Sequence, residues 1–173
     1  MKKFLKRVGI TILVIVIIFF SAGIIFPSVM YESKVTVNKP IETSFAVFTN
    51  AIKLSDWVIG LKGIGLINGI PNTVGSKWKF IIEQNGQKLE LIQTMKEFKL
   101  NELFVTHADS ELFTDDVEVK FTSKGESTEI TATSNLKGKN IFWKSVFVFA
   151  KFYLHGNDQK MYDKLKEVIE KEP

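Results

Sequence analysis

Cysteine is absent from the 173 residues of this chain, which excludes disulfides, thiol nucleophiles and zinc–thiolate sites together. Arginine occurs once, at Arg7, so beyond the first few residues no guanidinium is left to clamp a phosphate or carboxylate. Histidine occurs twice, as His107 and His155, without carboxylates at ligand spacing; no metal site and no cofactor is implied. Sequence motifs of other chemistries are missing as well. Neither Ser110 nor Ser145 sits in a Gly-x-Ser-x-Gly elbow. Gly63, Gly65 and Gly69 lack the spacing of a dinucleotide loop. Asp115, Asp116 and Glu118 do not repeat as a calcium loop, and read as a turn leading into a solvated strand face. Net positive charge is missing from most of the chain too. The total is +4, and Lys2, Lys3, Lys6 and Arg7 account for all of it. A domain without net charge lacks the basic field that nucleic-acid binding requires.

What the chain has is one long apolar run. Val8 to Phe26 (VGITILVIVIIFFSAGIIF) is nineteen uncharged residues behind a basic tip, Met1–Arg7 (MKKFLKR). At about 1.5 Å of helical rise per residue it covers roughly 28 Å, close to the thickness of a bilayer's hydrocarbon core. The expected organisation is a cytoplasmic tip at 1–7, a transmembrane helix at 8–26, a linker at 27–31 and a single domain at 32–173. Positive charge resists translocation, so the N-terminus is expected in the cytoplasm and the domain on the exported, periplasmic or extracellular side. A cleaved signal peptide is the competing reading; its apolar region is usually about 7–15 residues and ends in a small-x-small site. Ser21-Ala22-Gly23 offers small residues, but Ile24, Ile25 and Phe26 carry the apolar run past them, which favours an uncleaved anchor.

Beyond the run, helical and strand periodicities alternate. Glu32–Asn38 alternates as a strand. Pro40 suits a helix start, and Ile41, Phe45, Phe48 and Ile52 follow at helical spacing. Leu54–Val58 is a second short helix. Residues 61–70 form a glycine-punctuated, bent strand. Further strands are expected over 76–84, 88–98, 102–109, 117–122 and 127–135, with Asn85-Gly86 as a hairpin turn and 136–140 as a polar connection. From Ile141 to about Lys171 the chain is helical, with Trp143, Phe147, Ala150, Leu154, Met161, Leu165 and Val168 on one stripe. The first half of this helix is apolar nearly all round; Gly156 separates it from an amphipathic second half. A sheet with one apolar face followed by one long helix has a simple solution: an α+β fold in which a curved antiparallel sheet grips the C-terminal helix.

That order resembles the helix-grip fold of the START-like superfamily, the SRPBCC group of polyketide cyclases/dehydrases and lipid-transport proteins. The resemblance covers about residues 32–171. Val35–Glu42 (VTVNKPIE) is similar to the family's strand leading into its first helix, and Leu54–Trp57 (LSDW) to its tryptophan-bearing second helix. Pro71–Trp78 (PNTVGSKW) resembles a strand opening, and Leu165–Glu170 (LKEVIE) the close of the last helix. The resemblance implies a cavity between sheet and helix that takes a lipid or another hydrophobic small molecule.

The candidate ligand contacts are Trp57 on the second short helix; Trp78, Phe80, Leu91, Val105, His107 and Val119 on strands; and Phe142, Val146, Phe149 and Tyr153 on the last helix. Fifteen phenylalanines in so small a protein either fill a bulky core or line a cavity, and for any one of these residues core filling is the first reading. His107 alternates with Leu103 and Val105 and is expected to point inward, where a near-neutral pKa suits a general base. No catalytic role is assigned; His107 is the nearest to a candidate, and in the enzyme alternative the resemblance adds Tyr153 as a second acid–base candidate. The leading expectation is a single-pass membrane protein that binds a hydrophobic ligand. The alternatives are an enzyme of cyclase/dehydrase type acting on such a ligand, and a protein-interaction module that uses the apolar stretch Ile141–Leu154. A reporter fused at Pro173 is expected to be active only if it works outside the cytoplasm, and the protein to stay with membranes after carbonate washing. Cytoplasmic reporter activity would reverse the orientation.

Overall fold

The computed structural model describes residues 1–84 and 86–173. Seven strands form one antiparallel sheet: β1 (Val29–Val37), β2 (Leu61–Asn68), β3 (Lys77–Gln84), β4 (Gln87–Lys99), β5 (Leu103–Ser110), β6 (Phe113–Lys124) and β7 (Ser127–Gly138). Their order is β1-β7-β6-β5-β4-β3-β2, so the first strand returns to pair with the last. The helices are α1 (Lys2–Ile25), α2 (Ile41–Thr49), α3 (Leu54–Trp57) and α4 (Ile141–Glu170). This is the expected α+β helix grip. Tight turns join the middle strands, and Asn101 (φ +59°) and Gly125 (φ +76°) supply the left-handed residue at two of them. Of the expected Asn85-Gly86 turn, Asn85 lies outside the described residues, and Gly86 has φ +75°.

The inner face of the sheet needs cover, and α2, α3 and the second half of α4 provide it. Val37, Val119, Phe121 and Ile130 from the sheet bury against Phe45 and Phe48 of α2, Trp57 of α3, and Leu165 and Ile169 of α4. Phe45 stands edge-on to Phe121 at 4.9 Å and to Phe98 at 5.4 Å, and Phe48 meets Phe104, Phe121 and Trp57 at 5.1–5.4 Å. A second, smaller cluster of Val29, Leu136 and Phe147 joins the start of β1 and the end of β7 to the first half of α4. Asn140 caps α4, its side chain accepting from the Trp143 N–H at 3.0 Å.

Several boundaries differ from the sequence reading for identifiable reasons. β1 begins at Val29, inside the expected 27–31 linker, because Val29 and Tyr31 find partners along β7. β6 starts at Phe113 and β7 continues to Gly138, so the 136–140 connection is strand as far as Gly138 and Leu136 is core. α2 stops at Thr49 and leaves Ile52 outside the packed stripe. α4 runs unbroken through Gly156, where a Cβ would meet open space. Away from the sheet, α4 packs on α1. Gly23 lies so close to it that a methyl group would come within 2.7 Å of the Ser145 backbone nitrogen.

Phe45→Ala is expected to destabilise the fold by about 3–5 kcal/mol, since it opens a cavity among packed rings. Ile52→Ala, at an 85% exposed position, is expected to change stability by less than about 0.5 kcal/mol. Chemical denaturation of the two variants measures the difference.

Candidate functional site

Between the two hydrophobic clusters the sheet and α4 do not meet, and a cavity of about 270 Å³ remains. Side chains alternate along a strand, so each strand contributes every second residue. β3 supplies Trp78, Phe80 and Ile82; β4 supplies Leu91, Gln93 and Met95; β5 supplies Phe104, Thr106 and Ala108; and β6 supplies Phe113, Asp115, Val117 and Val119. Phe48 and Trp57 close one end, and Asp158, Met161 and Tyr162 form the part contributed by α4. The wall is mostly apolar, with polar groups placed at a few points, as is usual in small-molecule sites.

Those polar groups are concentrated. Asp115 accepts from the Ser134 hydroxyl at 2.7 and 2.8 Å, and Asp158 accepts from the Ser33 hydroxyl at 2.6 Å. Burial raises the pKa of both carboxyls. That of Asp115 is pushed up to about 6, with the nearby Asp158 and Asp116 charges adding to the rise against the Ser134 bond. Asp158 moves in the same direction, opposed by its Ser33 bond and by His155. Tyr162, buried beside both, is held well above the usual phenol range, first by burial and then by the two aspartates. No Lys, Arg or His lines the cavity among the described residues. On the opposite strands, the Gln93 amide donates to Thr106 Oγ1 at 3.0 Å. Trp57 Nε1, in a side chain only 4% exposed, has no hydrogen-bond partner among the described residues.

Of the residues singled out in the sequence, Trp57, Trp78, Phe80, Leu91 and Val119 line the cavity. Val105 and His107 do not. Met95 pairs with Thr106 and Val117 with Thr106, which turns the even-numbered residues of β5 inward and puts His107 on the outer face. There its Nδ1 lies 2.7 Å from Asp116 Oδ1. Phe142, Val146, Phe149 and Tyr153 are absent from the cavity as well. The first half of α4 covers the smaller cluster, where Val146 packs, while Phe142 and Phe149 lie against Phe19 of α1 and Tyr153 is exposed. The two acid–base candidates, His107 and Tyr153, therefore both lie outside the cavity. Conversely, Asp115 is not in a solvated turn. It continues the inward alternation Phe113, Asp115, Val117, Val119, Phe121, a period-two signal that extends back from Val117 in the sequence itself. Asp158 and Tyr162 carry no comparable signal.

No protein-family model matches the chain, and no curated protein matches it. Solved structures do. The chain aligns over 83% of its length with 97% of a protein from Thermus thermophilus, with TM-score 0.67 and 12% identity. It aligns over 82% with 97% of Ara h 8.0201, with TM-score 0.61 and 10% identity. It also aligns over 82% with 96% of Zhui, an aromatase/cyclase from Streptomyces, with TM-score 0.62 and 9% identity. Identities this low carry the fold alone: a curved antiparallel sheet gripping a long C-terminal helix.

Because the Asp115 carboxyl titrates higher in the folded protein than in the unfolded chain, ionising it costs stability. The penalty is absent below about pH 4 and complete above about pH 6. Asp115→Asn removes the penalty, so the variant's stability relative to the parent is expected to rise by up to about 3 kcal/mol between pH 4 and pH 7. Urea unfolding at each pH measures this; a pH-independent difference would show that burial does not hold the carboxyl.

Proposed function

We propose that this protein is a membrane-anchored binding module that holds a small, mostly apolar molecule in the cavity between its sheet and α4. The observation that carries this reading is the cavity wall itself, mostly apolar, with Gln93 and Thr106 paired on two strands and a polar group of Asp115, Asp158 and Tyr162. Its volume sits near the low end of ligand pockets, roughly 300–1,000 Å³, which suits a single acyl chain or a compact ring system better than a two-chain lipid. The polar end of the ligand meets Asp115 and Asp158. Two carboxylates without a cation in the cavity wall favour a ligand whose polar end donates hydrogen bonds or carries positive charge. The Trp57 N–H, without a partner among the described residues, favours an acceptor elsewhere on the same molecule. α1 holds the cavity beside the membrane from which such a molecule partitions. The basic residues before Val8 favour a cytoplasmic N-terminus and an exported domain.

The test is native mass spectrometry of the full chain released from lipid nanodiscs, beside Ala108→Leu, which puts a larger side chain into the cavity. Bound small molecules are expected with the parent, with several-fold less on the variant. Equal retention by both, or none by the parent after titration with apolar amines and alcohols, would defeat the reading. A second reading is an acid–base enzyme working on the same ligand. It is favoured by the raised pKa of Asp115 beside Asp158 and Tyr162 in one pocket. In that case Asp115→Asn would abolish turnover of a bound ligand while the complex still formed; unchanged turnover would remove Asp115 from the chemistry.

A further inference from the structure

The polar part of the cavity is short of donors. An ionised carboxylate accepts at about four lone-pair positions. Asp115 receives the Ser134 hydroxyl, and the Asn135 backbone N–H also favours its ionised form. Asp158 receives the Ser33 hydroxyl. These donors are neutral, and none belongs to a residue of the cavity wall. Among the described residues the one base whose charge bears on either carboxyl is His155, one turn before Asp158 on α4 and outside that wall. It pulls the Asp158 carboxyl down less than burial pushes it up.

Space is left beside these carboxylates. Asp115, Ala108, Gln93 and Trp78 are successive cross-strand partners on β6, β5, β4 and β3, and all four line the cavity as one row. Next to Asp115 that row holds only the methyl group of Ala108. Directly opposed side chains stand about 5 Å apart, so a group seated over Ala108 is within reach of the Asp115 carboxylate. From the facing wall α4 brings Asp158 and, one turn on, Tyr162, which is 3% exposed. The charges of both aspartates bear on the Tyr162 hydroxyl, so the three groups face one region.

Aromatic rings adjoin the acids. Phe113 precedes Asp115 on the inward face of β6, and the Tyr162 ring lies 6.3 Å from that of Trp57. Ring faces carry partial negative charge and attract cations, ammonium groups above all. Trp57, in the same wall, keeps an Nε1 without a partner among the described residues, an independent mark of a cavity that another molecule completes.

We propose that the ligand is an organic cation, an alkylammonium whose head sits over Ala108 between Asp115 and Asp158 and whose apolar part lies against Trp78, Phe80 and Leu91. This rests on the binding function proposed above and decides the charge of the molecule bound. An alcohol brings one donor and no charge. A primary ammonium brings three donors and the positive charge that the wall lacks among its described residues. A carboxylate or phosphate head meets like charge there and is turned away.

Octylamine, 1-octanol and octanoate share one chain and differ in the head. At about pH 7 the amine is a cation, its pKa being near that of lysine. Calorimetric titration of the full chain in phosphatidylcholine nanodiscs, with empty discs as the blank, compares the three. Octylamine is expected to bind at least about tenfold more tightly than 1-octanol, the difference between a charge-assisted and a neutral hydrogen bond. Octanoate is expected not to bind. Asp115→Asn combined with Asp158→Asn, which keeps an acceptor oxygen for each serine, is expected to bring the amine down to the affinity of the alcohol. If the parent binds 1-octanol as tightly as octylamine, or prefers octanoate, the inference is wrong and the binding function stands; that comparison needs no variant. An amine preference that survives in the double variant also overturns it, since the carboxylates are then not its source. If none of the three binds the parent, the binding function fails and this inference with it.

Discussion

One helix has to cover one sheet. The inner face of the seven-stranded sheet is mostly apolar, and the second half of α4 is the long element that covers it; α2 and α3 fill what that half leaves. Leu165 and Ile169, with no exposed surface, lie where helix and sheet meet fully. Phe45, Phe48 and Trp57 wedge into the same end. At the other end Phe147 closes on Val29 and Leu136. Between these clusters the sheet and α4 leave the hollow. Packing at the two ends is the condition for an opening in the middle. Without such supports an apolar gap would collapse, or its lining would forfeit the dispersion attraction that close packing supplies.

The same hollow concentrates unfavourable burial. Asp115 and Asp158 each keep a serine hydroxyl, yet among the described residues neither has a cation in the cavity wall, and Trp57 keeps an N–H without an acceptor. Fully satisfied polar groups in these places would be more stable. Residues that a fold tolerates at a loss, inside a cavity, are commonly those that await a ligand.

The architecture is legible in the sequence because it rests on periodicity. Seven alternating segments and a 3.6-residue stripe ending in Leu165 and Val168 need only one sheet and one helix to be satisfied. Sidedness is legible where the two faces of a strand differ: Trp78, Phe80 and Ile82 against Lys77, Lys79 and Glu83 leave no choice. It is not legible on β5. There Leu103, Val105, His107 and Asp109 on one face have nearly the hydropathy of Phe104, Thr106, Ala108 and Ser110 on the other, and only pairing to Met95 and Val117 decides. A slip of one residue reverses every side chain, and His107 departs from its expected face by that step. The first half of α4 departs for a different reason. A helix apolar all round gives no inward direction, so periodicity points Phe149 at the cavity while its ring belongs to Phe19. Asp158 and Tyr162 lie in the charged half of the helix, where an acid among lysines looks like any solvated residue until the sheet is in place.

The connection from α1 to the sheet is three residues, Phe26 to Ser28. Fully extended, such a segment reaches only about 10 Å, and Gly23 is already pressed against Ser145. Were α1 set in a bilayer, the domain would have little slack to swing. A ligand dissolved in the leaflet would then meet it by lateral diffusion, at a nearly fixed height and orientation. For such a molecule, partitioning into the lipid counts as concentration, and a sparingly soluble compound becomes locally abundant.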